Sequence, residues 1–503
     1  MNSNLFAVLK KRFPSDLTTE FVRTRGGSSY SYADMIARTG QYANALTGMG
    51  VKPGDRVAVQ VNKSFENLML YLGAVRAGAA YLPLNTAYTA AELEYFLGDA
   101  KPSLAVCREQ TEADVKRVSG SSKVLTLGDE GDAGSLLEAA DAAEAEFEDV
   151  ARGEDDLAAI LYTSGTTGRS KGAMLTHRNL SSNAEALAQT WKFSGSDRLL
   201  HALPIYHTHG LFTASNTILY AGASMIFLPR FDADEVISLL PEATAMMGVP
   251  TFYSRLLQND ELTREHVSHI RVFISGSAPL SPELHKAFEE RTGHAILERY
   301  GMTETGMNTS NPYDGARRPG TVGFPLPGVE LRIADPEAGR ELPQGSVGVI
   351  EVRGPNVFKG YWEMPEKTAE EFRGDGFFIT GDLGMIDDQG YVNIVGRDKD
   401  LIISGGFNVY PAEIEAAIDA IPGVAESAVI GLPHPDFGEG VTAVVACKEG
   451  VTLAEDQIIG PLAGQLAKFK QPKRVYFVET LPRNAMGKVQ KKDLRETFSD
   501  TYQ

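Results

Sequence analysis

One stretch, Tyr162 to Gly172 (YTSGTTGRSKG), constrains this chain more than any other. It gathers three glycines (Gly165, Gly168, Gly172), five Ser and Thr hydroxyls (Thr163, Ser164, Thr166, Thr167, Ser170) and two cations (Arg169, Lys171). The apolar run before it, LAAILYTSG, has strand length, and HRNLSSNAEALAQTW after it reads as a helix. The stretch is therefore expected to turn between a strand and a helix. Glycine lets the backbone approach a bulky anion and tolerates positive φ. Backbone N–H groups, hydroxyls and a lysine then donate to phosphate oxygens. A nucleotide P-loop is excluded, because no glycine directly precedes Lys171 and Gly172 follows it. Generic loops also use Ser, Thr and Gly, but seldom place them with a lysine between two regular elements.

The 503 residues suffice for about three domains, and 43% apolar with 23% charged residues is an ordinary globular balance. A formal charge of −18 argues against nucleic-acid binding, which needs a basic face. Any polyanionic ligand must then be held by local cations. Cys107 and Cys447 are the only cysteines and lie far apart, so neither a disulfide framework nor a zinc site is expected. The N-terminal MNSNLFAVLKKRF lacks the apolar core of a signal peptide, and no apolar run approaches the roughly 18 residues of a membrane span. The expectation is a cytoplasmic protein with no membrane partner.

From about Ser29 to Gly276, strand-like runs (RVAVQV, SMIFLP, RVFISGSA) alternate with helix-like ones (FENLMLYLGAVRAG, ADEVISLL). That alternation predicts parallel α/β layers. After RVFISGSA, Ser281 is the expected cap of the next helix, with Glu283 in its first turn. Near Gly320 the rhythm changes to short alternating runs (VELRIAD, GVIEVRG, YVNIVG), which predict a small antiparallel sheet or distorted barrel. A last region, with helical PAEIEAAIDAI and AEDQIIGPLAGQLAKF between the strands ESAVIGL, VTAVVACK and RVYFVETL, suffices for a small α/β domain.

The glycine-rich stretch resembles the phosphate-binding signature of the adenylate-forming superfamily, which comprises acyl-CoA synthetases, adenylation domains of peptide synthetases and luciferases. Further motifs follow in the superfamily's order: YGMTETG (Tyr300 to Gly306), TGD (Thr380 to Asp382), GRDKD (Gly396 to Asp400) and PRNAMGKVQK (Pro482 to Lys491). The resemblance implies a fold of two α/β layered subdomains and a distorted β-barrel in residues 1–396, a hinge at 397–399 centred on Lys399, and a small mobile α/β domain in residues 400–503. It implies that Thr163, Ser164, Gly165, Thr166, Thr167, Gly168 and Lys171 bind ATP phosphates. Glu304 would hold Mg²⁺ with Thr163, Tyr300 would lie against adenine, and Thr303 would face the α-phosphate. Gly276, Ser277 and Ala278 would line the adenine and acyl pocket. Asp382 and Arg397 would hold the ribose, and Lys488 would bridge the attacking carboxylate and the α-phosphate. The chemistry of these residue types agrees. A carboxylate in a turn suits Mg²⁺ with phosphate oxygens, and a flexible ammonium can neutralise two anions as they meet. Ala485 stands where the superfamily often has Thr or Ser. Gly405, Gly406 and Phe407 resemble the loop that passes the pantetheine arm of coenzyme A. Lys468, Lys470, Lys473 and Arg474 form a basic cluster that suits either CoA phosphates or solvent.

The acyl pocket should be lined by PIYHTHGL (Pro204 to Leu211), GVPTFYSRLL (Gly248 to Leu257) and the Ser275 to Ala278 turn. A fatty or aryl acid would want a long apolar pocket, yet these segments offer His207, His209 and Arg255. An arginine reaching such a pocket can grip a second carboxylate in bidentate fashion. Several segments, among them ALPIYHTHGL, GVPTFYSRLL and ERYGMTETGMNTSNP, resemble malonyl-CoA synthetases. That resemblance implies Arg255 for the distal carboxylate, with Ser277 and His207 beside the acyl group.

The expected activity is ligation of malonate, with methylmalonate a second substrate, to coenzyme A through an acyl-AMP intermediate, releasing AMP and pyrophosphate. Two rival enzymes remain: a ligase for another short or aryl acid, and a stand-alone adenylation enzyme that loads a carrier protein. A non-enzymatic nucleotide-binding protein would leave Glu304 and Lys488 idle. The resemblance also implies silencing by a lysine acetyltransferase and restoration by a deacetylase, because an acetylated Lys488 cannot neutralise two anions.

Overall fold

The computed structural model describes residues 2–163, 170–405, 407–463, 465–484 and 488–502. The expected site residues Ser164, Gly165, Thr166, Thr167, Gly168 and Gly406 lie outside the described residues.

Two mostly parallel sheets dominate the first three hundred residues. One has six strands, in the order Lys123–Thr126, Leu104–Cys107, Arg56–Gln60, Ala80–Pro83, Leu157–Thr163, Lys171–Thr176. The other has nine, with Leu297–Met302, Val272–Ser275, Ala245–Gly248, Arg198–His201, Ser224–Phe227 and Glu20–Thr24 running parallel in its middle and antiparallel strands at both margins. The central strands are buried on both faces, as parallel strands under helical layers must be, which is why they read as near-continuous apolar runs. Ser281 caps the helix Pro282–Thr292 as expected, its Oγ accepting from the Leu284 N–H at 3.1 Å.

A four-stranded antiparallel sheet follows (Glu330–Ala334, Gly348–Arg353, Phe378–Ile386, Val392–Arg397). The last region has its own apolar core, built on Ile414, Ile418, Val429, Val441, Val445 and Leu462. Its sheet pairs Phe407–Val409, Ile402–Ser404, Gly438–Cys447, Val424–His434 and Arg474–Val478. The helix read into AEDQIIGPLAGQLAKF is shorter, Glu455–Leu462. Pro461 lies in its last turn, and a proline ring there obstructs continuation.

The largest departure from the sequence reading is at the glycine-rich stretch. It does not lead from a strand into a helix. Strand Leu157–Thr163 pairs antiparallel with Lys171–Thr176, Thr163 opposite Lys171, so the stretch connects the two arms of a hairpin. The helix His177–Thr190 begins one element later, where Thr176 and Asn179 form a reciprocal cap (3.1 and 2.8 Å). The Asn179 amide also donates to the Pro355 and Val357 carbonyls at 2.8 and 2.7 Å. These bonds hold residues 355–362 across the sheet, and the Phe358 N–H donates to the Glu304 carbonyl at 2.7 Å. In this way Tyr361 arrives beside Glu304.

Candidate active site

Glu304 sits in the turn between strands Leu297–Met302 and Gly306–Ser310 and is buried. Loss of water raises its pKa, opposed by a hydrogen bond from Tyr361 and the charge of Lys171. The Thr163 hydroxyl donates to Glu304 Oε1 at 3.4 Å, and the Tyr361 hydroxyl reaches the same oxygen at 3.1 Å. Tyr361 also contacts Glu371 Oε2 at 2.6 Å. Glu371 in turn receives Lys171 at 2.8 Å, whose ammonium lies 4.0 Å over the Tyr361 ring. The structure therefore brings together Thr163, Lys171 and Glu304, and adds Tyr361 and Glu371. A buried carboxylate beside a hydroxyl is a hard-oxygen donor set that suits Mg²⁺ completed by phosphate oxygens.

Asp382 is buried within the strand Phe378–Ile386, directly across from Arg397. Its two oxygens receive Tyr300 (2.5 Å) and the Arg397 Nε (2.6 Å). Tyr300, Asp382 and Arg397 are thus one cluster.

Gly276, Ser277 and Ala278 follow strand Val272–Ser275. Ser277 holds φ at +73°, a region that L side chains rarely occupy. Its Oγ lies 3.1 Å from His209 Nδ1. Gly276 packs so closely on Arg299 that a Cβ there would meet the guanidinium carbon at 2.4 Å. Arg299 is buried, and among the described residues neither its Nε nor its Nη2 has a hydrogen-bond partner; His209 Nε2 and Ser275 Oγ are likewise unpartnered. Burial pushes the neighbouring Glu298 up to about 8, which keeps that carboxyl protonated at neutral pH. Burial also lowers Arg299 to about 9, still cationic at neutral pH. The guanidinium charge is therefore uncompensated among the described residues.

His207 accepts the His209 N–H on Nδ1 at 3.3 Å. Burial, then the charges of Lys488 and Arg299, push its pKa down to about 3. Lys488 is exposed as a residue, yet its pKa is lowered by loss of water and by Arg397 and Arg299, against Asp382 and Glu304. Its side chain thus lies within electrostatic reach of Arg299 as well as of Arg397, Asp382 and Glu304. Its backbone is anchored where the Lys488 N–H donates to Asn484 Oδ1 at 3.0 Å and Arg483 pairs with Val489. Thr303 is half-buried at the turn before Glu304.

Arg255 departs from expectation. The resemblance implies that it meets the distal carboxylate in the pocket; it lies in the last turn of Pro250–Gln258 and is exposed. The buried residues of that helix are Pro250, Tyr253 and Leu256, a spacing of three that leaves position 255 off the inward stripe. Arg299, by contrast, is buried with two unpartnered nitrogens among the described residues. Its signal was present in the sequence: a Glu-Arg pair inside the strand-like run AILERYGM is unusual, because charged residues seldom enter a core unpaired. Lys399 forms the turn Asp398–Asp400 between the third and fourth sheets and is exposed. Gly405 has φ +60°, and Phe407 is exposed with its ring stacked on Phe469 at 4.6 Å.

Comparison with known proteins matches residues 10–362 to the AMP-binding enzyme family and residues 413–488 to the AMP-binding enzyme C-terminal domain. A malonate–CoA ligase of mouse mitochondria is 38% identical, covering 92% of this chain and 86% of its own length. A feruloyl-CoA synthase of Amycolatopsis is 36% identical over 94% of this chain and 95% of its own. The crystal structure of ATP-bound MatB from Rhodopseudomonas palustris is 60% identical, covers all of both chains and superposes with a TM-score of 0.98. The apo form of MatB, equally identical, superposes at 0.87.

Proposed function

The chain belongs to the AMP-binding enzyme family, and from that premise we propose that it is an ATP-dependent malonate–CoA ligase, with methylmalonate a second substrate. The observation that carries the choice of acid is Arg299, a buried cation with two unpartnered nitrogens at the end of the cleft. An unpaired buried charge costs several kcal/mol, and a ligand that supplies a carboxylate there removes that penalty. A monocarboxylic acid would leave it in place. Ser277, His209 and His207 complete the polar lining, and the histidines are neutral, so they do not compete with Arg299 for the anion. The likeness to malonate–CoA ligases of mouse and Arabidopsis supports the same reading.

The proximal carboxylate of malonate attacks the α-phosphorus of ATP. The new P–O bond forms as the bond to the bridging oxygen breaks, and pyrophosphate leaves with the electron pair. Lys488 lies within reach of both anions and stabilises the charge as it shifts. Asp382 and Arg397 hold the ribose, Tyr300 covers the adenine, and Thr303 faces the α-phosphate. Lys171, with Ser164, Gly165, Thr166, Thr167 and Gly168, meets the β- and γ-phosphates. Glu304 with Thr163 would hold Mg²⁺, which when bound neutralises phosphate charge. In the second step the CoA thiolate attacks the acyl carbonyl and AMP departs. Residues 400–503 form a lid on the large domain, turning about Lys399 to withdraw Lys488 between steps. The proximity of Lys488 to the cleft, and the better superposition on ATP-bound than on apo MatB, support the first-step arrangement for the present structure. CoA would pass Gly405, Gly406 and Phe407, with Lys468 and Lys473 near its phosphates. Acetylation of Lys488 would abolish the first step; retention of full adenylation activity by the acetylated protein would remove that form of control.

The test is AMP formation with ATP, CoA and a panel of acids, for the unaltered chain, Arg299→Met and Arg255→Ala. Malonate should be preferred. Arg299→Met should lower its kcat/KM by about 100-fold or more, as loss of one partner of a buried charge pair does, and Arg255→Ala should change it little. Preference for an aryl or medium-chain acid would retire malonate and keep the ligase. Failure to consume free CoA would favour the carrier-protein reading.

A further inference from the structure

A buried lysine lies behind the acyl end, outside every role assigned above. Lys63 is partly exposed as a residue, but its ammonium turns inward. Its Nζ is 2.9 Å from His201 Nδ1 and 2.7 Å from the His201 carbonyl, and lies 4.1 Å over the Phe227 ring. Nζ thus faces a ring nitrogen, a carbonyl and an aromatic face. Among the described residues no carboxylate pairs with it.

A carbonyl oxygen only accepts, so His201 Nε2 beside the Gly210 carbonyl carries the proton and Nδ1 accepts from Lys63, although burial pushes the lysine pKa well down. Nε2 is 2.9 Å from the Gly210 carbonyl, which also receives the Ser215 hydroxyl at 3.0 Å. Gly210 is the second residue of a π-helical segment, His209–Asn216. Segments of this kind are rare and costly in isolation and frequently mark functional sites. Gly210 is pressed against its own loop, since a Cβ there would sit 2.0 Å from the Pro204 carbonyl oxygen. The same segment begins with His209, whose Nδ1 lies 3.1 Å from Ser277 Oγ. A continuous chain of contacts therefore runs from Lys63 through His201 and Gly210 to the wall of the acyl pocket.

We infer that Lys63 is a positioning residue for the acyl pocket: it fixes the His201 tautomer, and the resulting Nε2–H clamps Gly210 so that His209 and Ser277 face the substrate. The inference rests on the malonate reading and extends it. Neither Lys63 nor His201 touches substrate; both act through the backbone of the π-helical segment. Without the Lys63 donor, His201 is free to adopt the Nδ1–H tautomer, and two lone pairs, Nε2 and the Gly210 oxygen, then face each other. The pocket wall must move to relieve that contact.

Steady-state kinetics of Lys63→Met, Lys63→Arg and His201→Gln test this. Lys63→Met should raise the KM for malonate about tenfold or more and leave the KM for ATP within about twofold, as loss of one positioning contact does. Lys63→Arg, which keeps a donor-only cation, should recover most of the loss. In His201→Gln the amide N–H2 can donate to Gly210 without tautomer control, so adding Lys63→Met to it should cost less than it does alone. Parallel increases in both KM values that follow the drop in thermal stability would make Lys63 a packing residue only and overturn the inference. So would additivity in the double variant. An unaltered chain that does not use malonate would instead defeat the substrate reading, leaving the KM test to be judged on the acid it does use.

Discussion

At the phosphate and ribose end of the cleft the charged side chains are committed to one another; at the acyl end they are not. Lys171 is bound to Glu371, Asp382 to Tyr300 and Arg397, and Glu304 to Thr163 and Tyr361. Arg299, His209 and Ser275 are buried and have side-chain atoms without partners among the described residues. The two arrangements suit different ligands. A nucleotide triphosphate brings many charges and its own cation, so its site can trade internal partners for ligand partners at little net cost. A small diacid brings one extra carboxylate. Selecting it requires a penalty that only that group relieves, and an unpaired buried donor supplies one.

Lys488 spans both ends, so its removal gives the largest expected effect. Lys488→Ala should lower acid-dependent AMP formation by about 1,000-fold, the scale for loss of a charge that acts in the transition state. Preformed malonyl-AMP should still be converted by CoA at a rate within about tenfold of the unaltered chain, since the lysine is withdrawn for that step. Equal loss in both half-reactions would mean that the lysine serves the fold of the small domain instead. Next comes the acyl end. Gly276→Ala would bring a Cβ to 2.4 Å from the Arg299 guanidinium carbon, which must move. Overpacking of this kind costs about 1–3 kcal/mol, so the malonate KM should rise between about fivefold and 100-fold while the ATP KM is unchanged. A rise in the ATP KM alone would assign Gly276 to the adenine pocket only.

Much of this contrast was legible in the sequence, but unevenly. The motifs around Glu304, Asp382 and Lys488 located the committed end because each is a short local pattern. The hairpin at residues 157–176 was misread, since KGAMLT is too short to declare itself as a strand and the capping Thr176 looks like any other threonine. Arg299 stood inside a recognised motif, but its burial and its close contact with Gly276, which follows a different strand, are not exposed by a local pattern. Arg255 was favoured by the resemblance to malonyl-CoA synthetases, whereas the face it occupies is set by Pro250, Tyr253 and Leu256. Glu371 is one acid among several in EKTAEEF, and only the fold distinguishes it.

Glu371 sharpens the comparison from the committed side. Glu371→Gln keeps the shape but weakens the hold on Lys171, leaving the lysine free to meet phosphate without surrendering a partner. Hydrogen bonds to charged groups contribute about 1.5–3 kcal/mol, and gain and loss oppose each other here. The ATP KM should therefore shift by only about threefold in either direction, with the malonate KM unmoved. Dependence of the malonate KM on Glu371 would join the two ends electrostatically and undo the contrast.

The smallest effect concerns protons. His207 in the cleft and His177 outside it, whose Nδ1 accepts the Leu5 N–H at 3.0 Å, are held by burial at about 3 and about 4, against an ordinary value of 6.5. A histidine lowered in the folded state is protonated first in the unfolded chain. Stability is therefore complete above about pH 6.5 and falls as pH drops towards the folded values, by up to about 1.4 kcal/mol per unit for each such group. Thermal midpoints at pH 7, 6 and 5 should decline, and less steeply in His177→Gln. Malonate kcat/KM, by contrast, should be flat from pH 8 to pH 6, because His207 stays neutral throughout and Arg299 stays charged. An acid limb near pH 6.5 that disappears in His207→Asn would show water and protons entering the acyl end. The penalty that makes Arg299 selective depends on the exclusion of water, so discrimination against monocarboxylic acids should weaken along that same limb.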